Sequence, residues 1–224
     1  MTYRKYPIFP EQIYHVFNRS IAQQPIFFES KDYQRFLDTI NFYRYASPPL
    51  RFSFYNRLTD QEKTAFMENL QKEGTKQIAI FTFCLMPNHF HFLLKELIEG
   101  GIRKFASNLQ NSYAKYCNTK SKRTGGLFQE MFKAVRIETD EQFIHVARYI
   151  HLNPYSSFIV KDLNQLQSYP WCSLRDYLEE NRFDFLDKEF LISFFKSKNH
   201  FKNFTFDQAD YQRHLEEIKH IAKE

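Results

Sequence analysis

The sequence predicts an α+β fold, because apolar β-rich runs alternate along the chain with helix-spaced apolar stripes. The strongest signal is a hairpin: residues 77–86 (QIAIFTFCLM) form an apolar run, Pro87-Asn88 marks a turn, and residues 89–94 (HFHFLL) alternate again. With residues 50–75 set aside as an insertion, the element order is βαββαβ followed by a helix. That order predicts a ferredoxin-like or RNA-recognition-type sandwich with one antiparallel sheet and helices on one face.

The first part of the chain predicts a strand and a helix before the insertion. Residues 12–19 (QIYHVFNR) mix β-branched and aromatic residues, which is typical of a strand. A helix is expected to open at Ser30, because apolar residues then follow at three- and four-residue steps. Residues 51–57 could extend or form a loop. Residues 59–62 (TDQE) predict the capped start of a short polar helix that ends at Gly74.

After the hairpin, the pattern alternates between helix and strand once more. A helix-spaced stripe covers residues 102–116, and residues 127–137 are strand-like. The next helix is expected to be capped at Thr139 and to end near Asn153-Pro154. Two further helical patterns lie at residues 187–196 and 207–223.

Length and composition limit the class of protein. The 224 residues are enough for one large domain plus an appendage, which we place at residues 1–160 and 161–224. Neither GxGxxG nor GxxxxGK[ST] occurs, which argues against a Rossmann or P-loop nucleotide site. The three cysteines are far apart and fit a reducing cytoplasm. We expect neither secretion nor a membrane span, because no signal-peptide h-region and no run of about eighteen apolar residues occurs.

The charge balance permits a polyanionic partner without requiring one. The formal net charge is +5, and aromatic residues make up 18% of the chain. Basic residues are interleaved with aromatics near Arg4, Lys5 and Tyr6 and along the second main helix, a mixture that can bind phosphates and stack unpaired bases. The residues expected to contact nucleic acid are Arg19, Lys115, Lys120, Lys122, Arg123, Lys133 and Arg148.

The second strand of the hairpin carries two histidines separated by one residue. Because side chains alternate across a strand, His89 and His91 should point the same way, with Phe90 and Phe92 behind them. That arrangement can chelate one metal ion. An equally good interpretation of the pattern alone is two partly exposed histidines on the polar face of a half-buried strand.

A later helix supplies the other candidate residues. His145, Tyr149 and Asn153 lie at successive four-residue steps and therefore share one helix face. Viewed in isolation, this helix is better explained as amphipathic, with a tyrosine at the core boundary and Asn153 as the cap before Pro154.

Taken together, four segments resemble the single-tyrosine HUH transposases, in particular the REP-associated tyrosine transposases of the IS200-like superfamily. The segments are MPNHFHFLL (86–94), GGLFQEMFKAVRIET (125–139), ARYIHLNPY (147–155) and YPWCSLRDYL (169–178). The resemblance implies that His89 and His91 bind a divalent metal, Mg²⁺ or Mn²⁺, that Tyr149 is the nucleophile and that Asn153 completes the metal site. His145 or His151 could assist. Tyr113 and Tyr116 are rival nucleophiles of lower rank, because they lie on an apolar stripe.

The resemblance also implies a function for the domain at residues 1–160. A transposase of this kind would cleave and rejoin hairpin-forming single-stranded DNA through a 5′-phosphotyrosine, without ATP, and its partner would be single-stranded DNA with hairpin or palindromic ends. We expect a monomer or homodimer. Two alternatives use the same residues differently: a non-catalytic single-stranded DNA- or RNA-binding module on the same sandwich, and metal-dependent hydrolysis by a bound water.

Overall fold

The structure is a computed structural model that describes residues 7–179 and 181–221. Arg4, Lys5 and Tyr6, where the sequence interleaves basic and aromatic residues, lie outside the described residues. Strands β1 to β4 are Ile13–Arg19, Ile78–Met86, His89–Glu96 and Lys133–Ile137. Helices α1 to α10 are Ser30–Tyr43, Phe52–Tyr55, Asp60–Glu73, Gly101–Lys120, Asp140–Ser156, Leu163–Gln167, Leu174–Leu178, Lys188–Ile192, Lys198–Phe206 and Ala209–Ile221.

The strands form an antiparallel sheet in the order expected of a ferredoxin-like sandwich. Within the described residues the sheet has four strands in the order β2-β3-β1-β4, and every neighbouring pair is antiparallel. The two central strands are therefore β1 and β3. The predicted α+β fold with one antiparallel sheet is confirmed. The expectation of helices on one face was wrong, because helices pack on both faces.

One face of the sheet packs against α1 and α4. Phe90 and Phe92 of β3 point into this core, where they meet Phe36 of α1 and Phe105 of α4. The buried Glu96 carboxylate accepts hydrogen bonds from the first backbone N–H groups of α4, at 2.9 and 3.0 Å, which satisfies donors that a helix start leaves unpaired. The phenylalanines behind the two histidines thus lie where the alternation predicts.

The opposite face is covered by α5 and by the segment that follows it. Residues 169–177 run beside β2 and bond to its outer edge: Leu85 N–H donates to the Trp171 carbonyl at 2.8 Å, and Tyr169 Oη donates to the Leu85 carbonyl at 2.9 Å. These contacts pair an edge that would otherwise be open. The C-terminal region that the sequence assigns to an appendage therefore shares a hydrophobic core with this face of the sheet.

The insertion after α1 folds as helices that pack through aromatic rings. Thr59 and Glu62 form the capping box that the sequence predicts, and α3 ends at Gly74 as expected. The segment at 51–57 forms a single helical turn, α2. Its Phe52 ring lies 5.1 Å from that of Phe42, so the aromatic content here serves packing.

Several boundaries differ from the prediction: the helix expected at 187–196 covers only Lys188–Ile192, and the strand expected at 127–137 is shorter. Regular pairing begins only at Lys133. Leu127 and Phe128 are both buried. The Leu127 carbonyl instead accepts from Ile21 N–H, and Gln129 N–H donates to the carbonyl of Arg19, the last residue of β1.

Another difference is the end of α5, which the sequence places near Asn153-Pro154. The helix continues through Pro154 to Ser156, although proline supplies no N–H for the Ile150 carbonyl. Burial explains the extra turn, because Leu152, Pro154 and Tyr155 are all buried on the α5 side of the sheet. In the C-terminal region, Ser197 caps the additional helix α9, which the sequence pattern did not reveal.

The hydroxyl of Tyr177 tests how much the contact between the C-terminal region and the sheet stabilises the fold. Tyr177 is buried, and its Oη donates to the carbonyl of Phe81 at 2.6 Å, where the β2–β3 register is interrupted. Tyr177→Phe leaves a buried acceptor unpaired, so we expect the free energy of unfolding to fall by about 1–3 kcal/mol. Chemical denaturation measures this. Tyr211→Phe, at a 63% exposed tyrosine, is the matched control and should change little. Equal stability of the two variants would contradict the prediction.

Candidate active site

The register between β1 and β3 decides which side chains share the second face of the sheet. Arg19 is paired with His89, Phe17 with His91, and His15 with Leu93. Directly paired residues point to the same side of an antiparallel sheet. His89 and His91 therefore face α5 with three alternate residues of β1 beside them.

Helix α5 crosses this face and brings Tyr149 and Asn153 over the histidines. The Tyr149 ring lies edge-on to the His91 ring at 5.7 Å and to the His15 ring at 5.9 Å. Together these elements enclose a cavity of about 560 Å³. Its lining residues are Phe17, Asn18, Arg19, His89, His91, Gln129, Lys133, Tyr149, Asn153, Ser157 and Glu216.

Both histidines are held through the same ring nitrogen. Nδ1 of His89 is 2.6 Å from Oδ1 of Asn88, and Nδ1 of His91 is 2.9 Å from Nε2 of His15. When Nδ1 carries the proton of each bond, Nε2 keeps a lone pair, which is the form in which imidazole binds a metal. The pair is thus oriented by its neighbours before any ligand arrives.

Burial keeps these imidazoles neutral. It lowers the pKa of His89 to about 4, helped by the positive charge of Arg19 and opposed by the Asn153 side chain. Burial likewise lowers the pKa of His15 to about 4. The pKa of His91 falls well below its ordinary value, first through burial and then through the charges of its neighbours. Neutral rings do not need to lose a proton to bind a metal at neutral pH.

The donor set fits a divalent ion with two nitrogens and one amide oxygen. Within residues 7–179 and 181–221, no cluster of three or more His, Cys, Asp or Glu is placed to hold an ion, so a site here depends on Asn153. Asn153 is 3% exposed and lines the cavity. Its Oδ1 accepts one hydrogen bond, from Oγ of Ser157 at 3.4 Å, and so keeps a second lone pair that could bind an ion.

Of the seven residues expected to contact nucleic acid, two line the cavity and five do not. Arg19 and Lys133 line the cavity. Lys120 is bound by Glu29 and Asp32, with N–O distances of 2.6 and 2.5 Å. The remaining expected contacts do not line the cavity. Lys115 and Lys122 are exposed, Arg123 bonds to the Gly126 carbonyl, and Arg148 bonds to His145 and to the Phe204 carbonyl.

The two histidines expected to assist lie away from the cavity. His145 is on the surface of α5, where its Nδ1 bonds to Arg148 at 2.7 Å. His151 is fully buried on the other side of the helix, with Nε2 3.0 Å from Oγ of Ser173. The structure brings neither of them to Tyr149. It places His15 there instead, a residue not singled out from the sequence, although its alternation with Phe17 and Arg19 along β1 is the signal that points to it.

The two rival tyrosines form hydrogen bonds outside the cavity. Tyr113 is buried and donates to the Ile26 carbonyl at 2.8 Å, and Tyr116 donates to Asp32 at 2.9 Å. Neither lines the cavity that contains the histidine pair. Their placement supports the choice of Tyr149.

Comparisons with known families and solved structures give two similarities. Residues 50–153 match the family described as "Transposase IS200 like". Among solved structures, the chain is similar to one titled "Structure of the REP associates tyrosine transposase bound to a REP hairpin", with 14% identity and a TM-score of 0.50 over 83% of this chain and 89% of that one. No protein of curated function matches significantly. The resemblance inferred from the motifs is confirmed.

None of the helices described in residues 7–179 and 181–221 combines the length and apolar character needed to cross a bilayer.

The buried imidazoles predict a specific pH dependence of stability. Burial lowers the pKa of His89 to about 4 and that of His151 to about 3, so between pH 7 and 5 the unfolded chain binds protons that the folded chain does not. The contribution of these rings to the free energy of unfolding is therefore fully present above about pH 6.5. It is lost as the pH drops towards 4, by on the order of 2 kcal/mol for each ring by pH 5. Urea denaturation of the metal-free protein at pH 7, 6 and 5 measures this.

Two variants check the assignment. His151→Gln removes one of the titrating rings and should reduce the loss between pH 7 and 5, whatever its effect on stability at pH 7. His200→Gln alters an exposed histidine and should leave the loss unchanged. A urea midpoint that is flat from pH 7 to 5 would contradict the prediction.

Proposed function

We propose, on the premise that residues 50–153 carry an IS200-like transposase domain, that the chain cleaves and rejoins single-stranded DNA through a 5′-phosphotyrosine on Tyr149. The observation that carries the proposal is the meeting of Tyr149 with His89, His91 and Asn153 in one cavity. The four residues come from β3 and α5, which are far apart in the sequence. A packing role for each residue separately does not explain why all four meet in one cavity.

The reaction exchanges one phosphodiester for another. Oη of Tyr149 attacks phosphorus and loses its proton, a P–Oη bond forms, the P–O3′ bond breaks, and the departing 3′ oxygen takes up a proton. The products are a 5′-phosphotyrosine and a free 3′-OH. Because a phosphodiester is conserved, a 3′-OH can reverse the step on the same or another strand without ATP.

His89, His91 and Asn153 are the residues that would hold the cofactor, Mg²⁺ or Mn²⁺. When bound there, the ion supplies Lewis-acid neutralisation of the non-bridging phosphate oxygens. Two imidazole ligands favour Mn²⁺ at equal concentration, because hard Mg²⁺ prefers oxygen.

Arg19 and Lys133 have a separate role in binding the strand. They are the Arg and Lys residues that line the cavity, Arg19 at the end of β1 and Lys133 on β4, so both lie on the β4 side of the strand that carries the histidines. Their charges attract a phosphodiester to the cavity and hold it there, while the ligand histidines stay neutral.

The proposed partner is single-stranded DNA with hairpin ends. The structure to which this chain is similar is titled as bound to a REP hairpin, which supports a folded DNA end as the substrate. The alternative of a non-catalytic single-strand binder is less well supported. Such modules stack bases on an open sheet face, and here α5 lies over the face that carries the histidines.

The nucleophile is tested by trapping the intermediate. Wild-type protein with Mn²⁺ and a hairpin-bearing oligonucleotide, labelled on the 3′ side of the nick, should give a labelled protein band on a denaturing gel. Tyr149→Phe lacks the attacking oxygen and should give none, whereas Tyr116→Phe should still give the band. A band with Tyr149→Phe would refute the assignment of the nucleophile. Cleavage without any band would indicate hydrolysis by water, and chelator-insensitive binding without cleavage would favour the non-catalytic module.

The role of the cavity cations is tested by salt dependence. Lys133→Ala should weaken binding of a single strand and reduce the slope of log Kd against log salt by about 0.7, the contribution of one phosphate contact. Lys120→Ala is the matched control, because that lysine is engaged by Glu29 and Asp32. Fluorescence anisotropy across a salt series measures both. Equal losses in the two variants would remove Lys133 from the binding surface.

A further inference from the structure

His15 occupies the centre of the sheet beside the proposed metal site, and neither the motifs nor the comparisons assign it a role. It lies on β1, the strand next to the one that carries the histidine pair. Its ring stacks on that of His91, with 5.1 Å between centroids and 23° between planes. On its other sides it meets Phe17 at 4.7 Å and Tyr149 at 5.9 Å.

We infer that His15 is a positioning residue, whose Nε2 accepts a hydrogen bond from Nδ1–H of His91 and so keeps Nε2 of His91 available to the metal ion. The inference rests on the proposed function, because it assigns a task to a neighbour of the proposed ligands. It goes beyond that function by naming a residue that is not among those lining the cavity.

The direction of this hydrogen bond has a chemical consequence. The 2.9 Å contact joins two ring nitrogens, so one must donate and the other accept. If His91 Nδ1 donates, its Nε2 has a lone pair for the ion. If His15 Nε2 donates instead, His91 carries its proton on Nε2 and cannot act as a ligand through that atom.

The two ligands are held in different ways, which makes His15 specific to one of them. His89 bonds to Asn88, the adjacent residue of the hairpin turn, so a sequence neighbour fixes its orientation. His91 bonds across the sheet to His15, 76 residues earlier in the sequence. Hydrogen-bond partners of metal-binding histidines fix the tautomer and ring orientation, and their loss typically costs about 10- to 100-fold in metal affinity.

Two variants at position 15 separate the hydrogen bond from the packing. His15→Phe keeps a ring of similar shape but removes the acceptor, whereas His15→Gln places an amide oxygen near the position of Nε2. We expect His15→Phe to weaken Mn²⁺ binding by about 10- to 100-fold and His15→Gln to recover most of that loss. Binding is read from the EPR signal of free Mn²⁺ during titration, without reference to activity. His200→Phe, at an exposed histidine, should bind Mn²⁺ as the wild type does.

A second measurement needs no variant. Long-range ¹H–¹⁵N correlation spectra of the metal-free wild-type protein report which nitrogen of each imidazole carries the proton. We expect His91 to carry it on Nδ1, and His15 to carry it on Nδ1 with Nε2 as acceptor. This result would hold even if a position-15 variant failed to fold.

The outcomes distinguish this inference from the function on which it rests. Folded His15→Phe that binds Mn²⁺ as tightly as the wild type overturns the inference alone, as does an Nε2–H tautomer of His91. Equal losses in His15→Phe and His15→Gln overturn the role of the acceptor. A wild-type protein that binds no Mn²⁺ overturns the metal site and the inference with it, whereas loss of the covalent band with Mn²⁺ binding intact overturns only the cleavage reaction.

Discussion

The pairing of β1 with β3 is the interaction on which the rest of the site depends. Tyr14 and Val16 are buried in the core beneath the sheet, and this burial fixes the register of β1. A slip by one residue would turn every side chain of β1 to the other face. His15 would then leave His91, and Arg19 would leave the cavity. The hydrophobic core on one face of the sheet therefore determines the chemistry available on the other.

Helix α5, which carries Tyr149, packs against α10 as well as against the sheet. Pro154 removes a backbone hydrogen bond near its end, and α10 adds contacts over the same stretch. Gln212 donates to the Tyr149 carbonyl at 3.3 Å and to Oγ of Ser156 at 3.2 Å, while Tyr155 donates to Asp210 at 2.7 Å. The C-terminal helices thus help to hold the backbone that carries Tyr149, which explains why they share a core with the sheet.

Features governed by local sequence were predictable, and features governed by pairing were not. The hairpin and its two like-facing histidines follow from alternation within one strand, and the Thr59 cap follows from four adjacent residues. The contact of His15 with His91 depends on which strands are neighbours and in what register, and no single segment carries that information. For His151, spacing on the helix could not show that the C-terminal region would bury it against Ser173.

The distribution of charge explains how a mildly basic protein can serve a polyanionic partner. The imidazoles inside the cavity are neutral because they are buried, and the permanent charges of Arg19 and Lys133 lie in its lining. In the proposed function, two cations at one place meet the phosphodiester, so most other basic residues need not contribute. Tyr149, His89, His91 and Asn153 all line this one cavity.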